Sequence, residues 1–268
     1  MIAIAHFIAV TMYLGAAAVA ALPFARRVKA PVTGVVIALL AGIAAHSAAL
    51  VGLSRDTGAA SLTGLGPALS FAGLVLAVAL VIVEILAREV SLALVAAPLT
   101  ALVTMAGNLT GMQPFLEPQG ARAVWLTLHI VLSFAGMAAY ATAAAAGTMY
   151  LVARRELKSG HFGPIYRFFP PLETLDRVNH FAALAGFLGL TLGLALAAGY
   201  SVQYRALVLP QIIWGMSAWA GVGVLAFGRL HRGWQARRAA MLSAVSFASV
   251  IALYLVFRFA VSDGGRFL

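Results

Sequence analysis

Eight apolar runs, each about as long as a bilayer core is thick, leave this chain few ways to fold. They cover roughly residues 2–24, 31–53, 67–87, 90–107, 122–153, 178–200, 207–228 and 238–261. A helix needs about 20 apolar residues to cross the hydrocarbon, and inside it a lone strand would leave its backbone polar groups unpaired. Of the 268 residues, 63% are hydrophobic and 10% charged, which a soluble domain could not hide. The expected fold is all-α: a polytopic integral membrane protein of eight transmembrane helices, one transmembrane domain over residues 1–268. No basic segment precedes the first run and no small-residue cleavage pattern follows it, so it is expected to stay as a span.

A net charge of +10 could suggest nucleic acid. Its distribution argues otherwise. Arg26, Arg27, Lys29, Arg88, Arg154, Arg155, Lys158, Arg167, Arg177, Arg229, Arg232, Arg237 and Arg238 all follow odd-numbered spans. Only Arg55, Arg122, Arg205, Arg258 and Arg266 fall on the other side. The excess of basic residues marks the cytoplasmic face, so both termini are expected outside. The basicity is mostly topology, with some attraction to anionic lipid. The chain has no cysteine, which excludes disulfides, thiolate metal sites and thiol relays.

The longest cytoplasmic connection, from about Arg154 to Arg177, is expected to be a loop with a short interfacial helix around Ile165–Phe169. The segment with Asn108, Gln113, Pro114, Glu117 and Pro118 is the best candidate for an outer cap. The sixth run, GFLGLTLGLALAAG, has the small-residue spacing that brings membrane helices close together. Pro98 lies near the middle of the fourth, a kink that membrane helices tolerate.

His6, His46 and His129 stand at about the same depth in three different spans. Histidine is costly in lipid and usually has a partner or a ligand there. Imidazoles at matched depth are what axial ligation of a haem iron requires. Each could instead donate to a carbonyl or to Ser47 or Ser133 and simply join helices. Trp125, His129, Ser133, Gly136 and Tyr140 share one helix face, whose gap at Gly136 would suit a flat ring. Arg55 and Arg122 flank His46 and His129 on the outer side, where guanidinium would suit propionates, or they simply mark helix ends. His180 and His231 lie at the cytoplasmic edge as a weaker second site, with Asp176 one turn before His180. Glu84 lies near the same edge, one turn before Arg88, and is expected to pair with it.

Several stretches carry a family resemblance in order along nearly the whole chain. Residues 125–151, WLTLHIVLSFAGMAAYATAAAAGTMYL, are similar to the "W…HI…AYA" helix of the cytochrome c assembly proteins. Residues 170–199 resemble their "LD" entry followed by a glycine-rich span, and LHRGWQARRAA, residues 230–240, resembles a turn of theirs. AHSAAL, residues 45–50, looks like a segment of the HemX and YpjD-like branch. The resemblance implies that His129 is an outward haem ligand, His231 a cytoplasmic-end histidine and His46 the second-helix histidine of that branch. His6 has no firm counterpart. The tryptophan-rich outer loop of full haem-presenting members is missing; WGMSAW, Trp214 to Trp219, falls inside a span. Their late outer histidine is missing as well, from a tail reading SDGGRFL.

The expected function is therefore membrane haem handling in the bacterial cytoplasmic (inner) membrane. Haem b would be held near the outer face by His129 with His46, or with His6 in its place, beside Trp125, Arg122 and Arg55. Two axial histidines leave no open position for oxygen chemistry, which favours carriage, assembly or electron transfer over catalysis. The competing expectation is a cofactor-free, HemX-like regulatory or assembly subunit that contacts membrane or cytochrome-assembly partner proteins through its cytoplasmic loops. A small-molecule transporter is weaker, because no charged group accompanies Pro98 or the glycine-rich sixth run at mid-membrane. No motif supports a hydrolase, a kinase or a nucleic-acid partner.

Overall fold

A computed structural model describes residues 1–23, 32–57, 62–87, 91–113, 120–160, 169–205 and 208–261. Eight long helices account for nearly all of them: α1 (Ile2–Ala20), α2 (Val32–Thr57), α3 (Leu65–Ala87), α4 (Ser91–Leu109), α5 (Ala121–Ser159), α6 (Leu172–Tyr204), α7 (Leu209–Arg232) and α8 (Ala236–Val256). All eight are long and apolar enough to cross a membrane, and no strand occurs among the described residues. The protein is a multi-pass, all-α membrane protein. Arg26, Arg27, Lys29, Arg88, Arg167, Arg266, most of the expected interfacial helix and Pro114–Pro118 of the expected cap lie outside the described residues.

Several helices outrun their apolar stretch. Helix α5 has 39 residues and α6 has 33. The extra turns are polar, since a helix continues wherever water can solvate its side chains. The first turns of α6 carry an exposed Glu173–Arg177 ion pair at 3.0 Å, with the i, i+4 spacing that supports a helix. Gly160 ends α5 in the left-handed conformation, at φ 68°, where a side chain would be strained. Pro98 sits inside α4 without ending it.

The helices form two compact units, α1–α4 and α5–α8. In the first, α1 packs on α2 and α4, and α3 packs on α2 and α4, closing a four-helix ring. In the second, α5 packs on α6 and α8, and α7 packs on the same two. Large apolar side chains such as Phe7, Ile37, Leu102, Phe181 and Phe227 face outward. His6, His46, Ser70, Glu84, Thr100, Thr104, Asn179 and Ser243 are buried. With lipid as the solvent this is the favourable arrangement, because polar atoms find partners only inside the protein.

Glu84 shows the rule. It is fully buried, and its Oε1 accepts the Ala93 backbone N–H at 3.0 Å in the first turn of α4. A carboxylate there satisfies a donor that the helix itself leaves unpaired, and it faces the positive end of the helix dipole. Its expected partner Arg88 falls outside the described residues.

Candidate functional site

Buried positions on α1 (His6, Ala9, Tyr13, Ala16, Ala17, Ala20) and on α2 (Val35, Leu39, Gly42, His46, Ala49, Leu53) recur every three or four residues. Each set is one helix face, and the two faces meet. Gly42 makes the meeting close: a Cβ there would lie 2.5 Å from the Tyr13 ring. His6 and His46 come together with ring centroids 5.2 Å apart. The third member is Ser70 of α3, which sequence reasoning missed. Its Oγ lies 2.7 Å from His6 Nε2 and 2.9 Å from His46 Nε2.

The end of this cluster fixes its direction. His6 Nδ1 lies 3.1 Å from the Ile2 carbonyl, which can only accept, so Nδ1 carries the proton. Neutral His6 then accepts at Nε2 from the Ser70 hydroxyl. That spends the one Ser70 proton, so His46 Nε2–H donates to Ser70 Oγ. His46 Nδ1 is left to accept from the Tyr13 hydroxyl at 3.2 Å. Tyr13, His46, Ser70 and His6 thus form one chain of donors running toward Ile2, all at 1% exposure or less. Every nitrogen of both imidazoles is engaged, so neither ring offers a free lone pair to iron in this arrangement.

His129 belongs to the second unit, on the face where α5 meets α6. Trp125 Nε1–H donates to the Leu196 carbonyl at 2.9 Å, and one turn on His129 Nδ1–H donates to the Gly193 carbonyl at 2.8 Å. His129 Nε2 has no hydrogen-bond partner among the described residues, and the ring is half-buried. The structure corrects the expected gap at Gly136. A Cβ there would stand 2.5 Å from the Leu190 backbone nitrogen, so α6 already fills the space. Gly136, Gly189 and Gly193 let the two backbones touch, which gains dispersion contacts that bulkier residues would forbid. At the foot of this face the Tyr140 hydroxyl donates to Ser246 of α8 at 2.6 Å.

Arg122 is exposed at the start of α5. Its Nε donates to the Tyr200 hydroxyl at 2.7 Å, and its guanidinium lies 4.8 Å from the Tyr204 ring centroid. Arg55 is exposed in the last turn of α2, where a cation suits the helix dipole.

At the opposite end of the second unit, Asp176 pairs with Arg229 of α7 rather than with His180. The guanidinium is the stronger partner, and it also donates to Asn179 Oδ1 at 2.8 Å. Asn179 Nδ2 donates to the Ala143 carbonyl at 2.7 Å and to Ser243 Oγ at 2.8 Å. Arg229, counted by sequence among the basic residues of the cytoplasmic face, is thereby drawn inside, with its side chain 8% exposed. His180 lines a cavity of about 410 Å³ with Glu173, Asp176, Arg177, Arg229, Gly233 and Trp234. His231 is exposed and stacks on Phe227 of its own helix at 5.2 Å. The structure records no contact between His180 and His231 among the described residues.

A haem, which the resemblance implies, would find one imidazole among the described residues that is held by a carbonyl of another helix. His129 has its tautomer fixed by a carbonyl and its Nε2 left over, the usual state of a ligating histidine. A second cavity, of about 220 Å³, lined by Ser47, Leu50, Val51, Ser54, Leu62, Phe71 and Leu74, is small against the roughly 300–1,000 Å³ of ordinary ligand sites. Among the described residues no three His, Cys, Asp or Glu side chains gather into a metal site.

An Azospirillum brasilense protein described as "Uncharacterized 28.8 kDa protein in nifR3-like 5'region" is 29% identical over 140 residues, 50% of this chain and 51% of that protein. The chain thus spans about half the length of this relative. No solved structure matches. Residues 62–262 match the Cytochrome C assembly protein family. The match takes in α3 to α8, with Ser70, His129 and the Asp176–Arg229 pair, and leaves out α1 and α2 with His6 and His46. With three quarters of its length matched, including the helix that carries His129, the chain belongs to the cytochrome c assembly protein family.

Proposed function

We propose that this protein handles b-type haem at the outer side of a bacterial inner membrane, with His129 as the iron ligand. One observation carries the reading: the Gly193 carbonyl fixes the His129 proton on Nδ1 and leaves Nε2 without a partner among the described residues. Family membership supports it, because His129 lies in the matched residues. The Gly193 carbonyl holds the imidazole in place, Trp125 is tied to Leu196 one turn away, and Arg122, anchored by Tyr200, supplies a cation for a propionate. Bound haem iron would bring axial coordination and one-electron exchange. His6 and His46, the other expected ligands, each hold Ser70 through Nε2, and Arg55 is exposed on the same helix as His46. An inner haem site at His180 or His231 has less support, since neither ring is held by a carbonyl or a carboxylate among the described residues.

The test is an oxidised and dithionite-reduced absorption spectrum of gently purified protein, with a pyridine haemochrome assay. A near-stoichiometric Soret band with sharp reduced α and β bands is expected. His129→Ala should remove it while the protein still elutes as a folded species. A full Soret band in that variant would show that the ligand lies elsewhere.

The second reading is a cofactor-free, HemX-like regulatory or assembly subunit. It is favoured by the exposed Arg155, Lys158, Arg232, Arg237 and Arg238 at the ends of α5, α7 and α8. It requires a co-purifying partner that is lost when these residues change and kept when His129 changes.

A further inference from the structure

We propose that the His6–Ser70–His46 cluster is a binding site for a single monovalent copper ion. Two imidazole Nε2 atoms, from α1 and α2, converge on one hydroxyl oxygen of α3, at 2.7 and 2.9 Å. A ligating histidine is normally held through its second nitrogen by an oxygen. Both rings have one in place: the Ile2 carbonyl behind His6 and the Tyr13 hydroxyl behind His46.

An ion enters by shifting three protons inside the cluster, those of His46, Ser70 and Tyr13. His6 already carries its proton on Nδ1 and turns the Nε2 lone pair to the point of convergence. His46 moves its proton from Nε2 to Nδ1, and the Tyr13 hydroxyl turns its own proton away so that its oxygen accepts it. The Ser70 hydroxyl turns its proton from His6 to the carbonyl one turn back, Gly66, a bond that helical serines often make. No proton leaves the protein, and the Ser70 lone pairs are free to serve as a third donor.

The donor set selects the ion. Two imidazoles and a hydroxyl are neutral, and the cluster holds no carboxylate or thiolate. Any charge brought in stays uncompensated in an apolar unit, so a single charge is the least costly. Zinc asks for four ligands and brings two charges. Alkali ions favour oxygen, whereas imidazole suits copper, and copper(I) is content with two or three donors. A porphyrin does not fit between these rings, because α1 and α2 touch through Tyr13 and Gly42 one to two turns away. A bare ion needs no such slot. It can enter at the first turns of α1, where Ile2 and Ala5 are half-exposed. The site lies in α1, α2 and α3 and does not depend on His129.

The experiment titrates the purified full chain with copper(I) under anaerobic, reducing conditions against a chromophoric copper(I) chelator. One equivalent should be held, with two nitrogen neighbours in X-ray absorption. His6→Gln and His46→Gln should each weaken binding about 100-fold or more, while His129→Ala leaves it unchanged. Tyr13→Phe, a milder change that removes only the oxygen behind His46, should weaken it about 10- to 100-fold. The proposal is overturned if the chain yields all its copper to the chelator, or if it takes zinc(II) in preference. It is equally overturned if the glutamine variants bind like the wild type. Should those variants not fold, unchanged copper affinity in Tyr13→Phe overturns it alone.

Discussion

A polar side chain inside a membrane protein must find its partners within the protein, and Asn179 finds them on three other helices. Its amide reaches Ala143 of α5, Ser243 of α8 and Arg229 of α7 from its own place on α6, at 1% exposure. Removing it takes a second donor from the Ala143 carbonyl, worth about 0.5–1.5 kcal/mol, and loosens the guanidinium, worth about 1.5–3 kcal/mol. Asn179→Leu should therefore lower the thermal unfolding midpoint of the detergent-solubilised protein by several degrees. Asn179→Asp, which keeps an acceptor for Arg229, should cost less; equal losses would mean that the amide bonds to Ala143 and Ser243 dominate. At this scale the sequence was half legible. His6, His46 and His129 stood out because imidazole is rare in apolar runs. Their partners did not: His6 meets Ser70 across 64 residues and Asn179 meets Ser243 across another 64. Such pairings depend on the register between distant helices. The only local signal for Ser70 was that it is the lone hydroxyl in residues 67–87.

Helices in lipid gain nothing from hiding apolar surface from one another, so contact distance decides which pairs hold. Helices α5 and α6 touch backbone to backbone at Gly136, and Gly136→Val would place a branched side chain 2.5 Å from the Leu190 nitrogen. Overpacking of this kind costs about 1–3 kcal/mol. It should appear as a lower unfolding midpoint and, with His129 levered off Gly193, as a weaker Soret band. Gly15→Ala is the control: nothing lies within 4 Å of its Cβ, and removing a glycine from a helix is worth about 0.5–1 kcal/mol. That variant should be neutral or slightly more stable; a large loss would show that Gly15 is in a contact the fold does not explain. The glycine-rich sixth run was readable as a packing surface. The role of Gly136 was not, because a gap for a ring and a seat for a neighbouring helix have the same local sequence.

Across the whole molecule, the apolar runs foretold eight helices and the end-to-end lengths to within a few residues, except where polar turns extended α5 and α6. The grouping into two four-helix units was not foretold, since hydropathy marks which segments enter the membrane and not which neighbours they choose. Orientation rests on the basic residues and is open to direct measurement. Because the chain has no cysteine, single cysteines can be introduced without background. At Thr110 and Gln203 they should react with a membrane-impermeant maleimide in intact cells. At Lys158 and Arg237 they should react only after permeabilisation. The reverse pattern would invert the topology and place His129 on the cytoplasmic side.

The length of α5 carries a mechanical consequence. A rod of 39 residues measures ~58 Å, against a hydrocarbon core of about 30 Å, and no proline interrupts it. His129 rides near one end of this rod, and Arg154, Arg155 and Lys158 ride near the other. A displacement at one end is passed on as a tilt of the whole shaft instead of being absorbed in a hinge. A movement at the imidazole end would then reach the basic end as leverage.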